Sequence, residues 1–576
     1  MLLQQERQKI LEEDRFKVSE KEEKARVGVF VCHCGSNIGG LIDCKALAEY
    51  AKTLPNVIHS EDNLYTCSEN GLASIKKAVE EHNLNRVVVA SCTPRTHEPL
   101  FRDCISEAGL NPYLFNFVNI RDQCTWVHMK APQEAYEKSQ DLIKMGVAKA
   151  SKLEALEKII LKINPIALVI GGGVSGMSAA LSLSRQGFKT YLVDKEDKLG
   201  GRLNTLYKLF PFDIEASEFV GKIIDNVNNA KNIEVYTSAR VKNIDGFVGN
   251  YNIEIDQKNK IINLEVGVII VAVGASILTP TNLFGYDGIK NITQTELESK
   301  LKSNKIDANN IVMIQCVGSR IDERPYCSSI CCITAIKNSL IIKERKPEAN
   351  VSILFRDLYT PGTEYEEYYR KAREKGVIFI KYNLDNMPIV EEDQINVYNE
   401  YIGEEMILPY DLLVLSTPLI ANEDNKTLAQ LLKVPLESNN FFLEAHVKLR
   451  PSDFATDGVF IGGSAKWPVD ITESIAQGYA AAARASTILS HETIEVEGAT
   501  SSLPEFNKNL CTGCEICIKV CPYHAIIKDE NDNIEIVQAL CKGCGVCGAT
   551  CTNQAIVIRH FTDDQIMSEI YALGGK

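Results

Sequence analysis

The chain has 576 residues, 45% hydrophobic and 24% charged, a make-up that excludes wholesale disorder and collagen-like repeats. Sixty-two basic against 76 acidic residues leave a net charge of −14, the wrong sign for a nucleic-acid binder. No apolar run reaches the ~18 residues of a bilayer span, and the charged start Met1-Leu2-Leu3-Gln4-Gln5-Glu6-Arg7 has no signal-peptide core, so a cytoplasmic location is expected.

Nineteen cysteines in such a chain point to metal ligands, since reducing compartments hold few structural disulfides. Seven fall within 32–124, four within 316–332 and eight within 511–551. The expected architecture is multidomain α/β: an N-terminal α/β domain at 1–150, a second α/β domain at 151–497 with a middle unit inserted at about 291–439, and a C-terminal α+β domain at 498–576.

Residues 1–25 read as a charged amphipathic helix, a docking arm or solvated lead-in. A strand over 26–31 ends at Cys32-His33-Cys34-Gly35, and another over 86–90 ends at Ser91-Cys92-Thr93-Pro94. The carboxyl edge of a parallel sheet is where α/β folds gather ligands. Cys34, Cys67, Cys92 and Cys124 are therefore the expected ligands of a [4Fe-4S] cluster, with Cys32 as the substitute for Cys34. These ligands come from four separate segments, so spacing alone does not establish the set. Cys44 and Cys104 lie in helical stretches (41–52 and 98–108) and read as core thiols, and His33 and His97 as hydrogen-bonded bystanders. A connecting helical stretch is expected over 141–160.

Ile166–Ile170 is an apolar strand that runs into Gly171-Gly172-Gly173-Val174-Ser175-Gly176 and then an Ala/Leu-rich helix, the strand–turn–helix setting a G-x-G-x-x-G loop requires. Gly171, Gly173 and Gly176 let backbone approach a pyrophosphate at the helix N-terminus. Asp194, 18 residues past Gly176 at the end of the next strand, is placed to accept from a ribose. Gly200-Gly201-Arg202 follows, as in two-dinucleotide-binding flavoproteins, which hold FAD at this first site. Lys195, Gly201, Arg202, Val241, Gly274 (after a strand over 268–273), Gly463 and Ser464 complete the predicted FAD-binding set. The alternative is a Rossmann-like domain with a degenerate site.

A second such unit for NAD(P)H would place three glycines after the strand over 311–315. Here Cys316-Val317-Gly318-Ser319-Arg320 has one. Cys316, Cys327, Cys331 and Cys332 lie within seventeen residues, the last two opening a helix expected over 334–342. Helical spacing would put Cys327 and Cys331 on one face. These four are read as ligands of a third [4Fe-4S] cluster, with a redox dithiol as the alternative. Lys337, further along that helix, is the candidate catalytic residue, placed to face a flavin ring and stabilise its anionic reduced form; the alternative is a solvated lysine.

The strongest signal is Cys511-x2-Cys514-x2-Cys517-x3-Cys521-Pro522, repeated as Cys541-x2-Cys544-x2-Cys547-x3-Cys551. This is the bacterial ferredoxin run, whose fourth cysteine serves the other cluster. One cluster is expected on Cys511, Cys514, Cys517 and Cys551, the other on Cys541, Cys544, Cys547 and Cys521. Zinc knuckles are the alternative, but zinc needs no repeated fourth position. A linker is expected over 492–504 and a capping helix over 561–576.

The quoted segments, together with Thr96-His97-Glu98-Pro99, Asn111-Pro112-Tyr113, Trp126-Val127-His128, Tyr326-Cys327-Ser328, Lys448-Leu449-Arg450-Pro451 and Arg559-His560-Phe561-Thr562, span nearly the whole chain. On them the sequence resembles the A-type subunits of the heterodisulfide reductase family. The resemblance implies a thioredoxin-reductase-like flavoprotein core and an FAD- and iron–sulfur-dependent oxidoreductase. It implies work with B- and C-type subunits, which carry the disulfide chemistry, with an electron-input partner such as a hydrogenase or formate dehydrogenase, and with ferredoxin. It also implies electron bifurcation at the flavin, as in methanogenesis, and a homodimer within a larger complex. Two departures stand out: no extra ferredoxin run lies between Phe210 and Ile311, and Gly463-Ser464 stands where relatives carry Cys or Asp. A quinone-linked subunit of the sulfate-reduction type, an NAD(P)H-dependent flavin:ferredoxin oxidoreductase and a redox sensor are the competing readings.

Overall fold

The computed structural model describes residues 24–157, 159–211, 213–496, 504–529, 532–538 and 540–574. All but the last two residues of the expected lead-in, and the 498–502 stretch of the expected linker, lie outside them. The described residues form two compact units, one built from both ends of the chain and one from 160–495. Among them no helix is long and apolar enough to cross a membrane.

In the first unit, β1 (Val27–Cys32), β2 (Val57–Asn63), β3 (Arg86–Ser91) and β4 (Phe115–Asn119) form a parallel sheet in the order β2-β1-β3-β4. Helices α1 (Cys44–Lys52), α2 (Glu69–Glu81), α3 (Pro94–Glu107) and α4 (Pro132–Ala150) alternate with the strands. Val27, Val29 and Val31 point into one core and Phe30 into the other, which is why β1 is apolar throughout rather than alternating. Cys44 and Cys104 are buried in these two cores. The helix expected over 141–160 is α4, which starts earlier and stops at Ala150.

The ferredoxin segment is two matched halves. Strand Pro504–Phe506 pairs with Ile556–Ile558, and Ile526–Lys528 with Ile534–Ile536. Short helices, Ile516–Val520 and Val546–Thr550, follow each cysteine run. The C-terminal helix Asp563–Gly574 packs along α4, whereas the sequence suggested a cap on the ferredoxin half alone. Lys149 Nζ lies 3.2 Å from Glu569 Oε1 and 4.3 Å from the Phe561 ring centre. Gln565 Nε2 donates to Lys152 O at 3.0 Å.

In the second unit, five parallel strands run in the order Ile233–Tyr236, β6 (Lys189–Val193), β5 (Ile166–Ile170), Val268–Val271, Val459–Ile461. Ala167 and Val169 of β5 fill the core under α5 (Val174–Arg185), and Leu168 and Ile170 fill the opposite one. Between the last two strands of this sheet the chain builds a second parallel sheet, ordered Asn291–Thr293, Leu412–Leu415, Asn310–Ile314, Asn350–Phe355, Ile378–Lys381. Helices α6 (Gln294–Lys302) and α7 (Cys331–Arg345) flank it.

Lys149 combines a half-buried ion pair with a cation–π contact, together worth about 1 kcal/mol. Lys149→Met should therefore speed amide exchange in 563–574 by roughly fivefold while leaving β1–β4 unchanged; equal protection in both proteins would contradict this account of the helix.

Candidate active site: a flavin cavity walled by cysteine

The second unit holds a cavity of about 870 Å³. Gly171 has φ +113°, and a Cβ on it would strike the Ala272 carbonyl; a Cβ on Gly176 would collide with the Gly171 carbonyl oxygen. Both positions are sterically closed to other residues. Gly173, by contrast, faces open space at the cavity wall and caps α5 with no side-chain acceptor for the first helical N–H groups. Ser175 Oγ, also in the wall, is buried without a hydrogen-bond partner. A phosphate-bearing ligand meets these open donors. The cradle therefore fits FAD.

The predicted binding residues divide. Gly171, Gly173, Asp194, Lys195, Gly201, Arg202, Val241, Gly274 and Ser464 line the cavity. Gly176 and Gly463 do not: the first is the contact between α5 and its loop, and the second packs against Ser175. Asp194 accepts from Gly172 N–H, and from Glu196 N–H at 2.7 Å. Its carboxylate thus ties the glycine loop as well as facing the cavity; burial pushes its pKa up, and these two donors counter the rise. Lys195 is held at the rim, with Nζ 2.9 Å from Asp424 Oδ2, which Arg240 shares.

The N-terminal half of α7 enters the same wall. Cys331, Thr334 and Lys337 all line the cavity. Lys337 is not a solvated helix lysine: it is 2% exposed and ion-paired to Glu298 of α6, itself 1% exposed, and it donates to Lys208 O at 2.8 Å. Burial lowers its pKa, with Glu298 opposing the shift. Glu298 also accepts from Tyr207 N–H at 2.7 Å. This partner went unrecognised because nothing in the local pattern of α6 marks a buried glutamate.

Cys316 leaves the end of strand Asn310–Ile314 with φ +59°. Cys331 is half-buried at the cavity wall, and its pKa is raised first by burial and then by the thiols of Cys332, Cys316 and Cys327, so the four sulfurs share one locality. Cys327 precedes α7 instead of sharing its face, which corrects the helical-spacing expectation. Arg202 faces Cys331, and Arg320, bonded to Asp357, lies beside Cys316.

At the N-terminal sheet the structure brings Cys34, Cys67 and Cys92 together with Cys32, and Cys32 belongs beside Cys34 rather than in its place. Burial raises the pKa of Cys67, followed by the thiols of Cys32, Cys92 and Cys34. Thr66 N–H donates to Cys32 Sγ at 3.4 Å. Cys124 stands apart from the expected set. After β4 the chain makes a π-turn over Arg121–Thr125 that directs this thiol into the core, where it donates to Ala135 O at 3.1 Å and burial pushes its pKa to about 11.

In the ferredoxin half, one small cavity is walled by Cys511, Cys514, Cys517 and Cys551, the other by Cys521, Cys541, Cys544 and Cys547. These are the crossed sets expected from spacing. Backbone N–H groups of Gly513 and Gly543 donate to Cys511 and Cys541 Sγ, each at 3.4 Å. Among the described residues no group of three or more His, Cys, Asp or Glu is placed to hold a metal ion directly; a cubane, with irons and sulfides between its thiolates, asks for a wider frame than a single ion.

Residues 167–314 match the pyridine nucleotide-disulphide oxidoreductase family, and 503–526 match a 4Fe-4S binding domain. The chain is 38% identical to the A 2 iron–sulfur subunit of the CoB–CoM heterodisulfide reductase of Methanopyrus kandleri, over 89% of this chain and 92% of that one. It is 37% identical to the A-type subunit of the H(2):CoB-CoM heterodisulfide,ferredoxin reductase of Methanothermobacter thermautotrophicus, over 96% and 98%. It is 33% identical to the A-type subunit of the H(2)/formate:CoB-CoM heterodisulfide,ferredoxin reductase of Methanococcus maripaludis, over 88% and 91%.

Breaking a buried ion pair by removing one partner costs about 3–5 kcal/mol. Lys337→Met alone should therefore destabilise the flavin unit by that amount in denaturant unfolding. Lys337→Met combined with Glu298→Gln should recover most of it. Additive losses in the double variant would show that the two side chains do not act as a pair.

Proposed function

The chain belongs to the A-type subunits of the heterodisulfide reductase family, which are FAD- and iron–sulfur-dependent oxidoreductase subunits, and from that premise we propose that it bifurcates or confurcates electrons between a two-electron donor, ferredoxin and a disulfide. In this reading it works with B- and C-type subunits and takes electrons from a hydrogenase or formate dehydrogenase, in keeping with the H2 and formate in the names of its relatives. The observation that carries the reading is that Cys331 and Lys337 stand on one helix, within about two turns of each other, in the wall of one cavity. FAD bound there supplies the exchange between an electron pair and single electrons.

The chain's own residues set the conditions. Gly171 and Gly173 with the start of α5 fix the phosphates. Lys337 Nζ holds a proton against Glu298 in a dry wall, and its depressed pKa makes that proton easier to release than a solvated lysine's. Cys316, Cys327, Cys331 and Cys332 frame the first cluster beyond the wall. Burial penalises the thiolates of Cys331 and Cys332, a penalty that iron offsets. The crossed ferredoxin sets hold two more clusters, and Cys32, Cys34, Cys67 and Cys92 hold a fourth. Where a second nucleotide loop would lie, Gly318 packs against Leu278, which favours this reading over direct NAD(P)H oxidation.

Anaerobically prepared protein should carry about one FAD and about sixteen irons, four per cubane. Cys331→Ser should lose about four irons and keep FAD. In the reconstituted complex, ferredoxin reduction should require the disulfide. About eight irons in the unaltered protein would leave only the ferredoxin pair and overturn the relay; ferredoxin reduction independent of disulfide would overturn the coupling.

A further inference from the structure

The carboxyl edge of the N-terminal sheet has four strand ends, and three of them deliver cysteine: β1 delivers Cys32 and Cys34, β2 delivers Cys67 and β3 delivers Cys92. The fourth, β4, delivers an arginine. Arg121 Nη1 donates to Cys34 Sγ at 3.6 Å, and its charge is also felt at Cys92.

The guanidinium is fixed from several sides. Its Nε donates to Asp122 Oδ1 at 3.1 Å. Its Cζ lies 4.6 Å from the Trp126 ring centre. Asn119 at the end of β4 accepts from the Arg121 backbone N–H at 3.2 Å and donates to Asp122 Oδ2 at 3.1 Å, so the carboxylate is itself anchored. With Nε and one face of the guanidinium engaged, the rest of the fork is left for sulfur. A fork this constrained gives up little side-chain freedom on meeting a thiolate.

The electrostatics follow from charge. Each electron added to a thiolate-bound cubane makes the assembly one unit more negative, so a fixed cation and an N–H···S bond stabilise the reduced form. Asp122 cancels part of the cation's field at a distance, but the sulfur meets the guanidinium, not the carboxylate. Arginine stays protonated at every working pH, so this bias does not titrate away. The ferredoxin sulfurs Cys511, Cys521, Cys541 and Cys551 accept from neutral backbone N–H groups, which bring no such charge.

We propose that Arg121 is a positioning residue that raises the reduction potential of the cluster held by Cys32, Cys34, Cys67 and Cys92, making that cluster the chain's electron sink relative to its ferredoxin pair. The proposal rests on the reading above that these four thiols hold a cubane. Transfer into the cluster moves one electron and no proton, and the bias enters only through the final charge.

The test is an anaerobic redox titration of the full-length loaded protein followed by electron paramagnetic resonance. The N-terminal signal is identified as the one lost in Cys92→Ser. Arg121→Gln should keep the iron content and shift the electron partition at that signal at least tenfold toward the oxidised form, about 59 mV for one electron. The ferredoxin signals should not move. An unchanged midpoint with iron retained would overturn the proposal. If Arg121→Gln loads poorly, Arg121→Met replaces it; loss of about four irons in both would make Arg121 a structural element of the site and defeat the tuning role. Failure of the underlying reading is separable, since Cys92→Ser would then keep the full iron content.

Discussion

A parallel strand ends in a loop whose direction its neighbours dictate, and the side chains just past its carboxyl end are presented side by side. Most of the chemistry outside the ferredoxin half depends on that constraint. It places Cys32, Cys34, Cys67, Cys92 and Arg121 along one sheet edge. It sends the Gly171–Gly173 loop and Asp194 from adjacent strands of the flavin sheet to one cradle, and Cys316 from the middle sheet toward α7. The sheets are stiff because both faces are buried, so the positions of these sulfurs and donors are set by packing rather than by the loops themselves.

What the sequence made legible follows from range. The ferredoxin sets were readable because three ligands of each lie on one short loop and the fourth obeys a fixed crossing. The FAD cradle was readable because strand, glycines, helix and acid fall within a single local unit. The N-terminal set came from four segments, and the reading assigned one cysteine to each strand end. That logic took Cys124 for β4, where a π-turn buries it in the core, and offered Cys32 only as the substitute for Cys34, with which it shares β1's end. A fourth strand end bearing arginine instead of cysteine is not a pattern that spacing reveals.

The Lys337–Glu298 pair shows the same limit in energetic form. Lys337 was visible as a helix lysine near the cysteines, but its burial and its partner 39 residues away depend on how α6 and α7 pack. A buried pair of this kind is weak evidence for stability, since apolar residues would fill the space at similar or lower cost. Its place in the wall of the flavin cavity is the better reason for it to be there. The packing of the C-terminal helix on α4 is likewise a long-range fact that joins the two ends of the chain in one unit.

The central claim is that one cavity wall carries both the proton-holding lysine and a ligand of the first cluster. Anomalous diffraction at the iron edge, from anaerobically grown crystals of the full chain, tests it most directly. The account predicts FAD in the cavity with Lys337 at its wall and an iron peak enclosed by Cys316, Cys327, Cys331 and Cys332. FAD in place and both ferredoxin sites loaded, with no iron among those four sulfurs, would contradict it.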